Sequence, residues 1–263
     1  MAFDVAADAY DRFMGRYSRP LAPLFADFAG LTAAESMTTG RLLDVGAGPG
    51  ALTGELAQRF GEERVVAVEP SASFVAALRT RLPQVHVAQA SAEDLPFADD
   101  AFDATLAQLV VHFMRDPVEG LSEMRRVTRP GGTVAACVWD LGGGRSPMSP
   151  FWRAAAELDP AVEDETDRPG VSEGHLARLF RQAGLRDIES AELTVHAHHV
   201  TFDEWWDPFT GGAGPAGSYL ASLDQGAQDR LRDRVQRLIG APPVVIEAVA
   251  WAARGRVRAP AGT

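Results

Sequence analysis

Three glycines at alternate positions, Gly46, Gly48 and Gly50, close the run LLDVGAGPG (42–50), two residues after an acid, Asp44. Glycine at this density lets a backbone approach a ligand with no Cβ in between. A second acid, Glu69, ends the next apolar run, RVVAVE (64–69). A carboxylate there can accept both hydroxyls of a ribose. The pattern points to a phosphate or a nucleoside-bearing cofactor, and three kinds compete.

A phosphate-cradling loop of the GxxxxGK[ST] type is excluded, because the chain contains no lysine. A nicotinamide dinucleotide is compatible with Gly46-x-Gly48-x-x-Ala51 and with Glu69. Two details oppose it. Asp44 stands where a dinucleotide fold wants an apolar residue, and Pro49 removes a backbone N–H that a pyrophosphate would use. Both suit a nucleoside with an amino-acid tail, whose ammonium Asp44 could meet directly or through water.

These residues need elements to position them. The segments 41–45, 64–69, 85–89, 102–108 and 132–140 are short and nearly continuously apolar, as strands buried on both faces are. Between them Leu52, Leu56, Ala57 and Phe60 share one helical face, and Val118, Leu121, Met124 and Val127 share another. Asp116-Pro117 supplies an N-cap followed by proline at the first helical position. Repeated β-then-α units predict an α/β, Rossmann-like doubly wound sheet, with ligands beyond the carboxyl ends of the strands at the switch point.

After residue 140 the pattern changes. A loop is expected over 141–150 and a short helix over 151–158, and the polar run EDETDRPG (163–170) is expected to be exposed. A helix carrying Leu176, Leu179, Phe180 and Ala183 should stop at Gly184. A strand follows within 186–200. Thr201 with Glu204 resembles a capping box ahead of WWDPF, then comes a glycine-rich loop (211–217). A helix with Leu231, Val235, Leu238 and Ile239 and a last strand (244–253) close the chain.

The bulk numbers exclude other classes. A net charge of −11 over 263 residues, with no uninterrupted basic patch, argues against nucleic acid. The single cysteine, Cys137, fits a buried strand thiol in a reducing compartment. The N-terminus carries acids and no basic run, so no signal peptide is expected, and no apolar run reaches membrane-spanning length. A cytoplasmic protein without membrane insertion is expected, as monomer or homodimer.

The chain resembles the class I S-adenosylmethionine-dependent methyltransferases, in particular the UbiE/COQ5-like (methyltransferase type 11) group of bacterial small-molecule enzymes. LLDVGAGPG resembles their first motif and VVAVEPS (65–71) their second strand with its ribose-binding acid. SAEDLPFADDAFD (91–103) resembles their adenine-side loop, and RRVTRPGG (125–132) the turn before strand five. The four stand in the family's order. AYDRFMGRYSRPLAPLF (9–25) and WWDPFTGGAGPAG also resemble the group, so the likeness covers most of the chain.

The resemblance implies a seven-stranded sheet, mostly parallel with an antiparallel last strand. It implies one domain over 1–263: a helical lid over 1–35, a cofactor-binding core over 36–140, and substrate-side insertions over 141–171 and 201–243. Asp44, Gly46, Ala47, Gly48, Gly50, Glu69 and Pro70 are then expected at S-adenosylmethionine. Ser91, Ala92 and Glu93 are expected at its adenine, and Gln108 at its methionine part. Ser91 departs from the aspartate that many relatives carry, and a hydroxyl bonds adenine more weakly than a carboxylate. Tyr10, Arg16 and Tyr17 are expected to close over the cofactor, the arginine pairing with its carboxylate, or else to sit on an amphipathic helix that packs Phe13 and Tyr17 on the domain.

On the substrate side, Trp205, Trp206 and Phe209 are expected to wall a pocket, one tryptophan serving instead as an anchor. Asp140 is expected either to line its mouth or to cap the loop after strand five, and His198 to face the substrate. His112 is the candidate general base, with a hydrogen-bonded spacer as its bland alternative. His196, His198 and His199 suggest a metal cluster, but only His196 and His198 share a strand face, no ligand set is complete, and the acids of metal-dependent catechol-type methyltransferases are missing, so no metal is expected. The implied reaction is in-line attack by an O, N or C nucleophile of a small-molecule acceptor on the sulfonium methyl. The alternatives are an NAD(P)-dependent oxidoreductase and a non-catalytic nucleoside-binding regulator or assembly protein.

Overall fold

The computed structural model of the chain describes residues 7–32, 40–212 and 214–258. Seven strands form one sheet: β1 (Leu42–Val45), β2 (Val65–Val68), β3 (His86–Ala88), β4 (Phe102–Gln108), β5 (Thr128–Trp139), β6 (Arg186–His199) and β7 (Val244–Arg256). Their order is β3-β2-β1-β4-β5-β7-β6. Strands β1 to β5 pair in parallel, and β7 lies antiparallel between β5 and β6. The fold class is therefore as expected, antiparallel last strand included. The chain winds from β1 outward to β3, then returns to β4, so the switch point lies between the carboxyl ends of β1 and β4.

The helices are α1 (Ala7–Phe28), α2 (Ala51–Phe60), α3 (Ala72–Arg81), α4 (Pro117–Val127), α5 (Ser149–Leu158), α6 (His175–Gln182), α7 (Phe202–Thr210), α8 (Gly214–Ser222) and α9 (Gln225–Ile239). Local chemistry accounts for their ends. Asp116 caps α4 by accepting from Val118 N at 3.0 Å and Glu119 N at 3.1 Å. Thr201 caps α7 through Glu204 N at 3.2 Å, and Glu204 reaches back to Val200 N at 2.9 Å, one residue before the usual capping-box donor. α6 ends before Gly184, whose φ is +82°.

The lid expected over 1–35 is described over 7–32; residues 1–6 and 33–35 lie outside the described residues. Phe13, Met14, Tyr17, Leu21, Ala22, Phe25 and Ala26 recur at helical spacing and are buried, so α1 lays one face on the domain. It touches α2, α3, β4, β6, β7 and α7. Polar ties hold it down along its length. Arg81 of α3 pairs with Asp11 at 2.6 Å, and Arg59 of α2 reaches Pro23 O at 3.1 Å and Leu31 O at 3.0 Å.

Three local expectations need correction. β5 begins at Thr128 and not at 132: residues 129–132 bulge out opposite Asp103, where Gly132 has no room for a Cβ beside Asp103 O, at 2.6 Å. The glycine-rich run 211–217 turns only at its start, and α8 begins at Gly214, with Pro215 in its first turn where a missing N–H costs nothing. Finally, the polar run 163–170 hides Glu165, 3% exposed, because its carboxylate turns inward to accept from Trp152 Nε1 at 3.1 Å.

Candidate active site

The turn after β1 is built around its glycines. Gly46 has φ +70° and donates to Val68 O at 2.8 Å, tying the turn to the end of β2. A Cβ there would meet both Val110 methyls at 2.6 Å, so only glycine lets the β1 and β4 turns close on one another. Gly48 has φ +55°, and a Cβ on it would meet nothing within 4 Å. Its N–H donates to Glu69 Oε2 at 2.9 Å, while Ser71 N donates to Oε1 at 2.9 Å. Glu69 is thus buried at the end of β2 and held in one orientation by two backbone donors. Burial raises its pKa and the two hydrogen bonds oppose that.

Asp44 lies inside the fold, 1% exposed, with Thr53 Oγ1 donating to Oδ2 at 2.6 Å. Burial pushes its pKa up to about 7. It pins α2 beneath the glycine turn. The next wall comes from the loop after β3. Glu93 Oε1 accepts from Arg115 N at 2.8 Å, and Ala92 packs towards Gly120 of α4. Ser91 is half-buried and Pro70 exposed.

The end of β4 carries the site's strongest backbone constraint. Leu109 is left-handed, φ +62°, a conformation that costs a bulky residue about 1–3 kcal/mol. Its N–H is anchored on Cys137 O at 2.8 Å. The kink turns Val110 onto Gly46 and starts the single turn Val111–Phe113 that carries His112. Gln108 Nε2 donates to Ser18 O of α1 at 3.0 Å, and its Oε1 is buried without a partner.

Two clefts lie under α1. One, of about 390 Å³ and part open, runs between Tyr10, the β4 turn, Trp139 and the start of α8. Glu165 and His112 both line it. The other, about 280 Å³, lies between α1 and α7 and contains Arg16, Tyr17, His199 and Trp205. Phe13, Met14 and Met148 line both, so the two clefts adjoin.

With this geometry in place, comparison with known proteins is decisive. Residues 43–136 match the family described as methyltransferase domain. Over 140 residues the chain is 38% identical to an uncharacterized methyltransferase of Mycobacterium bovis, covering 53% of this chain and 52% of that one. Over 176 residues it is 35% identical to the demethylmenaquinone methyltransferase of Beutenbergia cavernae, covering 59% of this chain and 69% of the relative. The chain belongs to the methyltransferase family. It spans about half the length of the mycobacterial relative. The solved phosphoethanolamine N-methyltransferase 2 of Haemonchus contortus, in complex with phosphomonomethylethanolamine and S-adenosylhomocysteine, shares the fold: TM-score 0.60 at 17% identity, covering 96% of this chain and 57% of that one.

Within this methyltransferase fold, the carboxyl ends of β1, β2, β3 and β4 bring Gly46, Ala47, Gly48, Gly50, Glu69, Ser91, Ala92 and Gln108 to one edge of the sheet. Tyr10 joins them from α1: its ring stands 5.3 Å from Phe74, and burial, with the charge of Glu69, raises its pKa. Other residues are placed differently. Glu93 is engaged with the backbone at 115–116, and Arg16 faces α7, pairing with Glu204 at 3.3 Å and His198 O at 3.1 Å. Tyr17 donates to or accepts from His199 Nε2 at 3.0 Å, away from the glycine turn.

On the substrate side, Asp140 is not at a pocket mouth. Its carboxylate accepts from Gly143 N at 2.8 Å and from Arg145 Nε at 2.5 Å, closing the loop after β5. His198 is exposed, because β6 turns alternate residues to solvent; His199 takes the inward position. Trp205 and Phe209 line the second cleft, whereas Trp206 stacks on Phe151 at 6.1 Å and is the anchor. His112 is 3% exposed, and burial pushes its pKa down to about 3, so it is neutral at physiological pH. Sequence reasoning missed His199, Glu165 and Leu109. Only Leu109 left a trace, as a residue directly after a strand that must turn sharply.

Among the described residues, no group of three or more His, Cys, Asp or Glu is placed to hold a metal ion, and no helix is long and apolar enough to cross a membrane.

Proposed function

We propose that the chain transfers a methyl group from S-adenosylmethionine to a small-molecule acceptor. The observation that carries this is Glu69: a buried carboxylate fixed by Gly48 N and Ser71 N, directly beside a glycine turn whose outward face is open at Gly48. Each oxygen keeps a lone pair for a ribose hydroxyl. The orphaned Gln108 Oε1 is a second fit, since a buried acceptor at the switch point lacks a donor that an ammonium group supplies. Tyr10 and Phe74 offer an apolar wall over the nucleoside. Asp44 acts through Thr53 and α2, by setting the turn on which these contacts depend.

When bound, the cofactor supplies an electrophilic methyl group on a sulfonium sulfur. The chain's task is then orientation and exclusion of water, which is worth roughly 7–11 kcal/mol of barrier in well-aligned cases. α1 covers the carboxyl ends of the strands and excludes solvent. Leu109 and Val110 fix the edge where acceptor and cofactor meet. Neutral His112 stands at that edge as the candidate proton acceptor, but a base matters only when the nucleophile arrives protonated, and its low pKa makes it a weak one.

Thermal-shift titration of the full chain tests the reading. S-adenosylhomocysteine is expected to raise the melting temperature and NAD(P) to leave it unchanged. Glu69→Ala is expected to abolish the shift. Stabilisation by NADH, with none by S-adenosylhomocysteine, overturns the proposal.

A further inference from the structure

Glu165 brings a carboxyl group to the 390 Å³ cleft, and no ion pair meets it among the described residues. Glu165 is 3% exposed and accepts one side-chain hydrogen bond, from Trp152 Nε1 at 3.1 Å. Among the described residues it forms no ion pair. Arg168 acts on it electrostatically, but its exposed side chain lies over the Phe113 ring at 5.8 Å and forms no ion pair with the carboxylate. Burial raises the Glu165 pKa, and the Trp152 hydrogen bond and Arg168 only partly offset this. A buried, unpaired carboxylate is among the costliest arrangements in a protein unless a ligand relieves it.

The rest of the cleft suits one kind of ligand. Tyr10, Phe13, Phe113 and Trp139 line it, and aromatic faces attract a cation through the negative face of the ring quadrupole. His112 adds a neutral ring: none of its nitrogens has a protein partner among the described residues, and its Nδ1 is buried. A neutral ring offers one acceptor nitrogen for a ligand N–H and one N–H for a ligand acceptor.

We propose that this cleft is the methyl-acceptor pocket and that the acceptor is a small amine, held as its ammonium form against Glu165 between aromatic walls. The proposal rests on the methyl-transfer reading and deepens it by naming the substrate class. Glu165 discriminates by charge: a neutral hydroxyl compound of the same shape fills the same walls but leaves the carboxylate uncompensated. Arg168 opposes the cation from the rim.

The test is a titration of the full chain with 2-phenylethylamine and with the isosteric 2-phenylethanol at pH 7.5, in saturating S-adenosylhomocysteine. Tryptophan fluorescence reads it, since Trp152 bonds Glu165 and Trp139 lines the cleft. The amine is expected to bind at least about tenfold more tightly than the alcohol. Glu165→Gln is expected to remove that preference, and Arg168→Ala to strengthen amine binding. Equal binding of amine and alcohol by the unaltered chain, or a preference that survives Glu165→Gln, overturns the proposal. If Glu165→Gln does not fold, the amine-to-alcohol ratio and the direction of the Arg168→Ala change decide. The S-adenosylhomocysteine thermal shift in the same samples separates the two readings. Its retention beside a lost amine preference counts against the amine pocket alone, and its absence from the unaltered chain counts against methyl transfer.

Discussion

Tyr17 Oη and His199 Nε2 stand 3.0 Å apart and join α1 to the end of β6, 182 positions away in the chain. Both groups are buried and His199 Nδ1 has no partner, so this bond is the only one the imidazole makes among the described residues. Arg16, the neighbouring residue, repeats the tie through His198 O and Glu204. Tyr17→Phe keeps the ring against Trp139 but leaves both imidazole nitrogens unsatisfied. It is expected to cost about 1–3 kcal/mol in urea unfolding. Hydrogen exchange should quicken in α1 more than in β1 or β4.

The glycine turn separates a folding role from a binding role. Gly46→Ala forces a methyl into Val110, at 2.6 Å, at a residue with φ +70°. Overpacking and left-handed strain add, so a loss of about 2–4 kcal/mol is expected in denaturant titration. Gly48→Ala meets open space at φ +55° and carries only the strain, about 1–2 kcal/mol. Its methyl instead projects into the open space on the outward face of the turn, more than 4 Å from Glu69. Calorimetric titration with S-adenosylhomocysteine should therefore show the larger affinity loss for the variant with the smaller stability loss.

How much of this was legible in the sequence depends on whether a residue's role is local. The β1 turn, the acid at 69 and the capped start of α4 each declare themselves through neighbours a few positions away, and all stand where expected. The face of β6 did not. Alternation pairs His196 with His198 but does not say which face meets α1, and β7 covers one edge only. The two tryptophans are adjacent on α7, so helical period alone separates their directions without naming the inner one; Phe151, from a distant helix, selects Trp206 as the anchor. Glu165 was misread because polar composition reports average exposure, whereas one indole N–H 13 residues away determines where its carboxylate goes. Glu93 and Arg16 were assigned by family position, and here backbone amides and Glu204 engage them instead.

Asp44 gives a pH test of the buried acid under the glycine turn. Burial raises its pKa in the folded chain to about 7, above its ordinary carboxylate value near 4. Between those values the folded chain holds a proton that the unfolded chain has lost. The stability it contributes is therefore present below the unfolded pKa and is lost as pH rises through about 7. Asp44→Asn removes the titration while still accepting from Thr53 Oγ1. The variant should gain stability relative to the unaltered chain between pH 4.5 and 7.5, measured by urea unfolding. A constant difference across that window would show that Asp44 is ionised throughout in the folded chain.

His112 carries the opposite sign in an overlapping window. Burial, with a smaller contribution from Arg168, lowers its pKa in the folded chain to about 3, against about 6.5 when unfolded. The unfolded chain takes up the proton first, so the stability this residue contributes is full above pH 6.5 and falls as pH drops toward 3. His112→Gln keeps a polar group in the turn Val111–Phe113 and removes the ionisation. The stability advantage of the unaltered chain over this variant should shrink steadily from pH 7 to pH 4.5. Nuclear magnetic resonance of the histidine side chain supplies the direct check: its shifts should stay those of a neutral ring at pH 5. A midpoint near 6 would place His112 in contact with water or with a carboxylate, and would make it a stronger proton acceptor than the buried geometry allows.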